Sequence, residues 1–425
     1  MMQLGIEKKG RRYQLVYSLI LLFGIFCLLP IANAQTANDT EQGVRGIHER
    51  VMTLDTHVDI PFDFATGAVD PAVRADAQVD LEKMEEGGLD VAFFIVYVGQ
   101  QERNEINYAR ARRDALTKFD AIHRMTDDLY PDRIGFASTA AEMEAIHAQG
   151  KLVAMIGIEN GFVIGKDLSV LEDFRERGAR YMTLVHNGHN DIGDSAQPQE
   201  RFGDSEQEHG GLSDFGYQVV EELNRLGILV DISHVSRQTM LDATRHSLAP
   251  VIASHSSVTG VADHPRNMND EQLLALKENG GVVHIVAFDG YIKLVPPERT
   301  AAIAELRQSF GVRSAAEASS LPDEARNAYN NGLSIINDTW PLSNVSEFIN
   351  HIDYAVNLIG IDHVGISSDF GGGGGVLGWD NATETINVTR ELVNRGYNED
   401  DIAKLWSGNL LRILAKAEEV SSSLQ

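Results

Sequence analysis

From residue 51 onward, short apolar and β-branched runs alternate with stretches whose apolar positions recur at helical spacing. The strand-like runs lie at 51–59, 89–98, 152–159, 181–186, 228–234, 251–255, 282–288 and 363–369. Several, such as Val153-Ala154-Met155-Ile156-Gly157-Ile158, are apolar without a break, as strands covered on both faces should be. The intervening stretches carry helix signals. Between Ser213 and Leu226 apolar side chains fall at Phe215, Val219, Val220 and Leu223, and Gly227 stops the pattern. Between Asn269 and Asn279 an Asn/Asp cap leads into Leu273, Leu274 and Leu276, with Gly280-Gly281 as the exit. Eight strands alternating with helices predict an α/β fold, a parallel (β/α)8 TIM-type barrel. A doubly wound open sheet would favour a Gly-rich turn after the first strand, and Asp55-Thr56-His57-Val58-Asp59 has none. One connection, about 290–360, is too long for a simple crossover. It reads as mainly helical (300–310 and 346–358), an elaborated surface excursion, a lid or a subunit contact.

Composition narrows the class. The chain has 425 residues, 43% of them apolar, with 62 acidic against 36 basic side chains and one cysteine. That is enough apolar material for a large core and far more than a disordered chain carries, and a fibrous protein is excluded as well. A formal charge of −26 argues against nucleic acid as a partner, because phosphate binding rests on clustered Lys and Arg. The first segment reads as an address. Lys8, Lys9, Arg11 and Arg12 precede an apolar run from Leu15 to Ile31 that ends in Ala32-Asn33-Ala34. This is the layout of a signal peptide over 1–34, which predicts an exported protein, periplasmic or secreted. At this length, broken by Ser18, Gly24 and Pro30, the run is poor as a stable membrane anchor. Arg11-Arg12 leaves twin-arginine export open beside the general route. The only cysteine, Cys27, falls inside the leader, so residues 35–425 form one domain without disulfides whose stability rests on its core.

The polar residues at the strand ends carry the chemistry. On a parallel barrel, reactive groups gather where the strands end. The first run ends in His57-x-Asp59, two side chains that alternation turns to the same face. Others end in Glu159, His186, His234, His255 and Asp369. A single His at a strand end is more often a hydrogen-bonded structural residue, and His-x-Asp alone is a weak motif. Six runs delivering imidazole or carboxylate to one rim form a stronger pattern, and it points to a metal site. These ligand types suit Zn²⁺, with Mn²⁺ and Co²⁺ also compatible. The seven candidates exceed one tetrahedral ion. Two ions about 4 Å apart, sharing a carboxylate, would use five and leave two for substrate and proton.

The motifs are Asp55-Thr56-His57-Val58-Asp59-Ile60-Pro61, Gly157-Ile158-Glu159-Asn160-Gly161, Tyr181-Met182-Thr183-Leu184-Val185-His186-Asn187 and Gly211-Leu212-Ser213-Asp214-Phe215-Gly216. Asp231-Ile232-Ser233-His234-Val235-Ser236, Ser254-His255-Ser256-Ser257, Pro265-Arg266-Asn267 and Asp362-His363-Val364-Gly365-Ile366-Ser367-Ser368-Asp369-Phe370 follow. In order and spacing, from Asp55 to about Leu414, the chain resembles the membrane (renal-type) dipeptidase family of zinc peptidases, within the amidohydrolase superfamily. The resemblance implies two Zn²⁺ per chain: His57 and Asp59 on one, His234 and His255 on the other, Glu159 across both. It implies that His186 and Arg266 contact a small dipeptide and that Asp369 works with an activated water. It allows a homodimer and, in the absence of disulfides, resembles an exported bacterial member.

The activity so implied is hydrolysis of dipeptides, those with a C-terminal D-residue among the candidates. Asp369 would pass a proton from water to the leaving amine, His186 would steady the developing oxyanion, and Arg266 would fork onto the substrate carboxylate. Two departures from the family pattern stand out. Asn160 replaces the usual Gly after the bridging Glu, and Phe370 runs directly into Gly371–Gly375. That glycine run lacks the Lys and Ser/Thr of a phosphate loop, and reads as backbone that must approach something closely. Rival readings are a binuclear hydrolase of non-peptide amides or lactones, and a sensor that keeps the barrel without turnover.

Overall fold

The computed structural model describes residues 41–313, 317–318 and 320–425. The leader expected at 1–34 lies outside the described residues. Residues 41–50 are helical and belong to a unit separate from the compact body Val51–Gln425. No described helix is long and apolar enough to cross a membrane.

In the body, nine strands form one parallel sheet: β1 (Leu54–Asp59), β2 (Val91–Tyr97), β3 (Ile134–Phe136), β4 (Leu152–Glu159), β5 (Ala179–Thr183), β6 (Leu229–Asp231), β7 (Ile252–Ser256), β8 (Val282–Val286) and β9 (Val364–Ser367). Eight of them follow one another around the sheet in the order β1-β2-β4-β5-β6-β7-β8-β9. The ring closes where Asp59 N donates to Phe370 O at 2.8 Å, just past β9. This is the (β/α)8 barrel that the alternating pattern predicts. The ninth strand, β3, lies against the first half of β4, on the edge that β5 takes over from Ile156 onward. Three residues, Ile-Gly-Phe, carry no readable period, which is why the sequence pattern did not show it.

Helix boundaries follow local chemistry. Helix Asp214–Leu226 starts where the Ser213 side chain accepts from Gly216 N, and ends at Gly227 in the left-handed region. Helix Asp270–Asn279 carries a full capping box between Asn269 and Gln272. The connection after β8 is helical as expected, with helices Asp289–Ile292, Pro297–Ser309, Asp323–Thr339 and Val345–Ile359.

Several strands are shorter than their apolar runs. β5 stops at Thr183, β6 at Asp231 and β9 at Ser367, so His186, His234 and Asp369 sit in the turns just beyond them. The apolar residues that extended those runs, such as Leu184, Val185 and Ile232, are buried loop residues. Burial, rather than strand geometry, keeps them apolar. Beneath the rim, a core cluster joins Leu54, Phe93, Met155, Tyr181 and Ile252 to Ile413 and Leu414 on the C-terminal helix Asn409–Leu424. Gly157 makes one feature of that core possible. A Cβ there would stand 2.2 Å from the Tyr181 ring, so only glycine lets this tyrosine lie across the barrel.

Candidate active site

The strand ends bring seven of the sequence-selected residues together. His57, Glu159 and His255 form one group, Glu159, His186 and His234 a second, and His57, Asp59 and Asp369 a third, with ligand atoms in each within 4.8 Å of one another. Glu159 is the hub. Its Oε2 lies 3.6 Å from His57 Nε2, while Oε1 lies 3.1 Å from His234 Nε2, 3.4 Å from His255 Nε2 and 3.5 Å from His186 Nε2. On the other side His57 Nε2 is 3.5 Å from Asp59 and 3.9 Å from Asp369. The pair His57 and Asp59 converges as alternation along β1 requires, helped by a register irregularity between Asp55 and Val58.

Whether the three innermost histidines suit a cation is decided by their far nitrogens. Tyr181 OH donates to Thr56 O at 2.8 Å, so its oxygen accepts from His57 Nδ1 at 3.0 Å. Ser254 Oγ donates to Asp231 Oδ2 at 2.7 Å, so it accepts from His255 Nδ1 at 2.8 Å. His234 Nδ1 faces the Asn187 side-chain carbonyl at 3.2 Å. Each ring therefore carries its proton on Nδ1 and turns a bare Nε2 inward, the arrangement a metal-binding imidazole needs. His57 Nε2 is buried with no hydrogen-bond partner. The Nε2 atoms of His234 and His255 face each other at 2.8 Å, lone pair against lone pair. Such a contact is repulsive until positive charge sits beside it.

The electrostatics agree. Burial holds His234 and His255 well below the usual histidine value, so both rings are neutral. Burial opposes charge on His57 too, but Glu159 and Asp59 outweigh it and raise its pKa well above normal. The pocket asks for positive charge at that nitrogen. Burial drives Asp369 well above the carboxylate range, and the nearby Asp59 and Glu159 add to the effect. Cations between these carboxylates would relieve the crowding. The residues fit a metal centre.

Backbone strain concentrates at the same place. Of the four described non-glycine residues with left-handed backbone, Asn160, His234 and Asp369 lie at the site. Each costs on the order of 1–2 kcal/mol, which surrounding contacts must offset. Asn160, at φ 80°, is held by donating to Val98 O and by accepting from Phe162 N. Its side chain thus serves the turn that glycine would otherwise make. The glycine run after Phe370 is explained by proximity: a Cβ on Gly372 would stand 2.3 Å from Asp369 Oδ1 and 2.5 Å from Asp59 Oδ2. What that backbone approaches is the pair of site carboxylates.

A cavity of about 1190 Å³ opens over the cluster and is lined by Asp59, Glu159, His186, His234, His255 and Asp369, with Tyr97 and Tyr291 on its walls. The eighth sequence-selected residue, Arg266, lies behind that wall. It is buried, its Nη2 donates to His255 O at 3.2 Å, its guanidinium sits 5.3 Å from the Tyr291 ring, and its Nε has no partner.

Comparison with known proteins matches the chain to a family. Residues 41–425 fit the family model for membrane dipeptidase, peptidase family M19. The chain belongs to that family. It is 32% identical to the dipeptidase aclJ of Aspergillus oryzae, over 98% of this chain and 91% of the relative. It is 30% identical to the dipeptidase tcpJ of Claviceps purpurea, over 83% and 72% of the two chains. Among solved structures it is similar to the probable dipeptidase PvdM of Pseudomonas aeruginosa, at 31% identity and a TM-score of 0.79, covering 90% of this chain and 99% of that one. The protein is a metal-dependent dipeptidase of this family.

Sequence reasoning gave no role to the groups that support the ligands. Asp231 ties three strands: it accepts from Thr183 Oγ1, from Ser233 N at 3.0 Å and from Ser254 N at 2.9 Å. Asp55 accepts from His57 N at 3.2 Å and from Ser368 N at 3.0 Å, and burial raises its pKa to about 6. Asp55 had a signal, since alternation puts it in phase with His57 and Asp59. Tyr181 and Asn187 had none beyond their presence in a motif.

Proposed function

We propose that this dipeptidase works with two zinc ions, one held by His57, Asp59 and Glu159, the other by His234, His255 and Glu159. The observation that carries this reading is the division of Glu159, whose Oε2 addresses His57 while Oε1 addresses His234 and His255. A carboxylate whose two oxygens face two separate sets of bare imidazole nitrogens is placed to bridge. A bound pair of divalent cations supplies an acidified water as nucleophile and polarises the scissile carbonyl.

The chain's own residues do the rest. Asp369 takes the proton of the attacking water and returns it to the leaving amine, a role that suits a carboxyl lying beside His57 and Asp59 and lining the cavity. His186, with Nε2 at 3.5 Å from Glu159 and its ring 4.8 Å from Tyr97, donates to the oxyanion. Arg266 is assigned the free carboxylate of the second residue, with the part of its guanidinium that His255 O leaves available. Since it stands outside the cavity lining beside the Tyr291 ring, this contact requires that ring to move aside. A longer peptide would set an amide there, which explains restriction to dipeptides. The leader-like segment at 1–34 adds that the enzyme acts after export.

A dipeptide panel with L- and D-residues at the second position, run with and without chelator, tests the reading. Release of both amino acids that stops on chelation and returns with zinc is expected. Cleavage of lactones or non-peptide amides without dipeptide cleavage would contradict it.

A further inference from the structure

Lys118 is the only lysine or arginine among the described residues lining the cavity, and the hydrolytic scheme above does not use it. It projects from helix Glu105–His123, which follows β2, and it is only 4% exposed. Its ammonium packs near two rings, 5.1 Å from the centre of Phe62 and 5.6 Å from that of Tyr97. No hydrogen bond or ion pair to a described residue engages it. The contrast with Lys83, buried to a similar degree, is direct. The Lys83 ammonium donates to Ala75 O at 2.6 Å and to Ala77 O, and lies 3.4 Å from Asp80. One buried lysine is satisfied by the fold; the other is left facing the cavity.

A buried ammonium without an anion is costly, and two aromatic faces offset only part of that cost. Burial pulls the Lys118 ammonium below its ordinary range, while the more distant Asp59 and Glu159 hold it up. In a cavity built for a substrate, the missing anion belongs to the substrate. Position says which part. Around the ring, β2 and β7 stand four places apart among eight, so they are diametrically opposed. Arg266 follows β7 and Lys118 follows β2. If Arg266 holds the carboxylate of the second residue and the scissile bond lies over Glu159, the first residue extends toward Lys118. The Phe62 and Tyr97 rings would then flank the carbon stem of its side chain.

We propose that Lys118 is a specificity-determining residue that binds the carboxylate of an acidic side chain on the first residue, favouring Glu-Xaa and Asp-Xaa dipeptides. This inference rests on the orientation given by Arg266 in the proposed function. The test compares kcat/KM for Glu-Ala and Gln-Ala, two substrates that differ only in the side-chain charge, on the metal-replete full chain. A Glu/Gln ratio of about tenfold or more is expected for the native enzyme. It should fall to about one in Lys118→Met and persist in Lys118→Arg. Because each ratio is taken within one variant, a general loss of activity cancels.

A native ratio near one, a ratio that survives Lys118→Met, or a preference expressed in Ala-Glu over Ala-Gln instead would each overturn the proposal. Calorimetric binding of the reduced-amide isosteres of Glu-Ala and Gln-Ala separates the two readings. If no dipeptide is cleaved, yet the Glu isostere binds more tightly in a Lys118-dependent way, the proposed function fails and this inference stands. Equal binding of the two isosteres would sink the inference whatever is cleaved.

Discussion

At the barrel rim His57, Glu159 and His255 are almost wholly buried; His57 is fixed by Tyr181, 124 residues away, and His255 by the adjacent Ser254, which is itself tied to Asp231 on the neighbouring strand. In the connection after β8, helix Pro297–Ser309 buries no residue, and Asp323–Thr339 buries only Tyr329 and Ile336. The rim is held by polar contacts between strands, such as those of Asp231 and Asp55. Much of the excursion is held by a small apolar cluster of Val312, Ala318 and Tyr329, supported by half-buried neighbours such as Leu306 and Leu333. Its last helix, Val345–Ile359, differs from both. It buries seven residues and sends His351 into a hydrogen bond to Ile292 O at 2.9 Å. The lesson is that function and stability are concentrated in different regions, and substitutions should separate them.

The sharpest break is at the proton carrier. Asp369→Asn keeps the ligands but removes the group assigned to proton transfer, so kcat should fall about 10²–10⁴-fold with metal content unchanged. Normal turnover in a metal-replete sample would contradict that assignment. Next comes the support of a ligand. Tyr181→Phe removes the acceptor of His57 Nδ1 and should weaken metal affinity about 10–100-fold, read by competition with a chelating dye. An unchanged affinity would show that the ring orientation is set by packing alone.

How these residues could be anticipated differs from case to case. His57, Asp59, Glu159 and His255 were legible because alternation and strand ends place them, and both rules are local. His186, His234 and Asp369 were legible only approximately, since their strands end early and two of them adopt left-handed backbone that no residue preference announces. Tyr181 and Asn187 escaped because their partners are 124 and 47 residues distant. Lys118 escaped for the same reason: a lysine on an ordinary helix reads as solvated, and only the tertiary fold encloses it. The cap at Asn269 and the stop at Gly227 were read correctly because such signals are decided within about four residues.

The excursion should respond to pH rather than to substrate. Burial lowers the His351 pKa to about 4, against 6.5 for the free side chain. Between those values the unfolded chain takes up a proton that the folded one refuses, so stability falls as pH drops from about 6.5 toward 4. The full effect is about 3 kcal/mol. Denaturant melts of the native protein and His351→Gln across this range should show a shallower slope in the variant, and parallel slopes would refute the assignment. The smallest effect on catalysis is expected at Tyr329→Ala. Loss of its contact with Phe310, ring centres 5.6 Å apart, should cost about 2–3 kcal/mol of local stability. Hydrogen exchange over the excursion should report it, with kcat/KM within about twofold of native. A large loss of turnover would make the excursion part of the catalytic apparatus.

The central claim is that buried imidazoles, locked by their outer nitrogens around one glutamate, exist to hold a pair of cations. Elemental analysis of protein purified without chelator tests it most directly, beside Glu159→Gln prepared in parallel. The account predicts about two equivalents of zinc per native chain and at most a trace in the variant. A native chain that carries no transition metal and takes up none when zinc is supplied would contradict it.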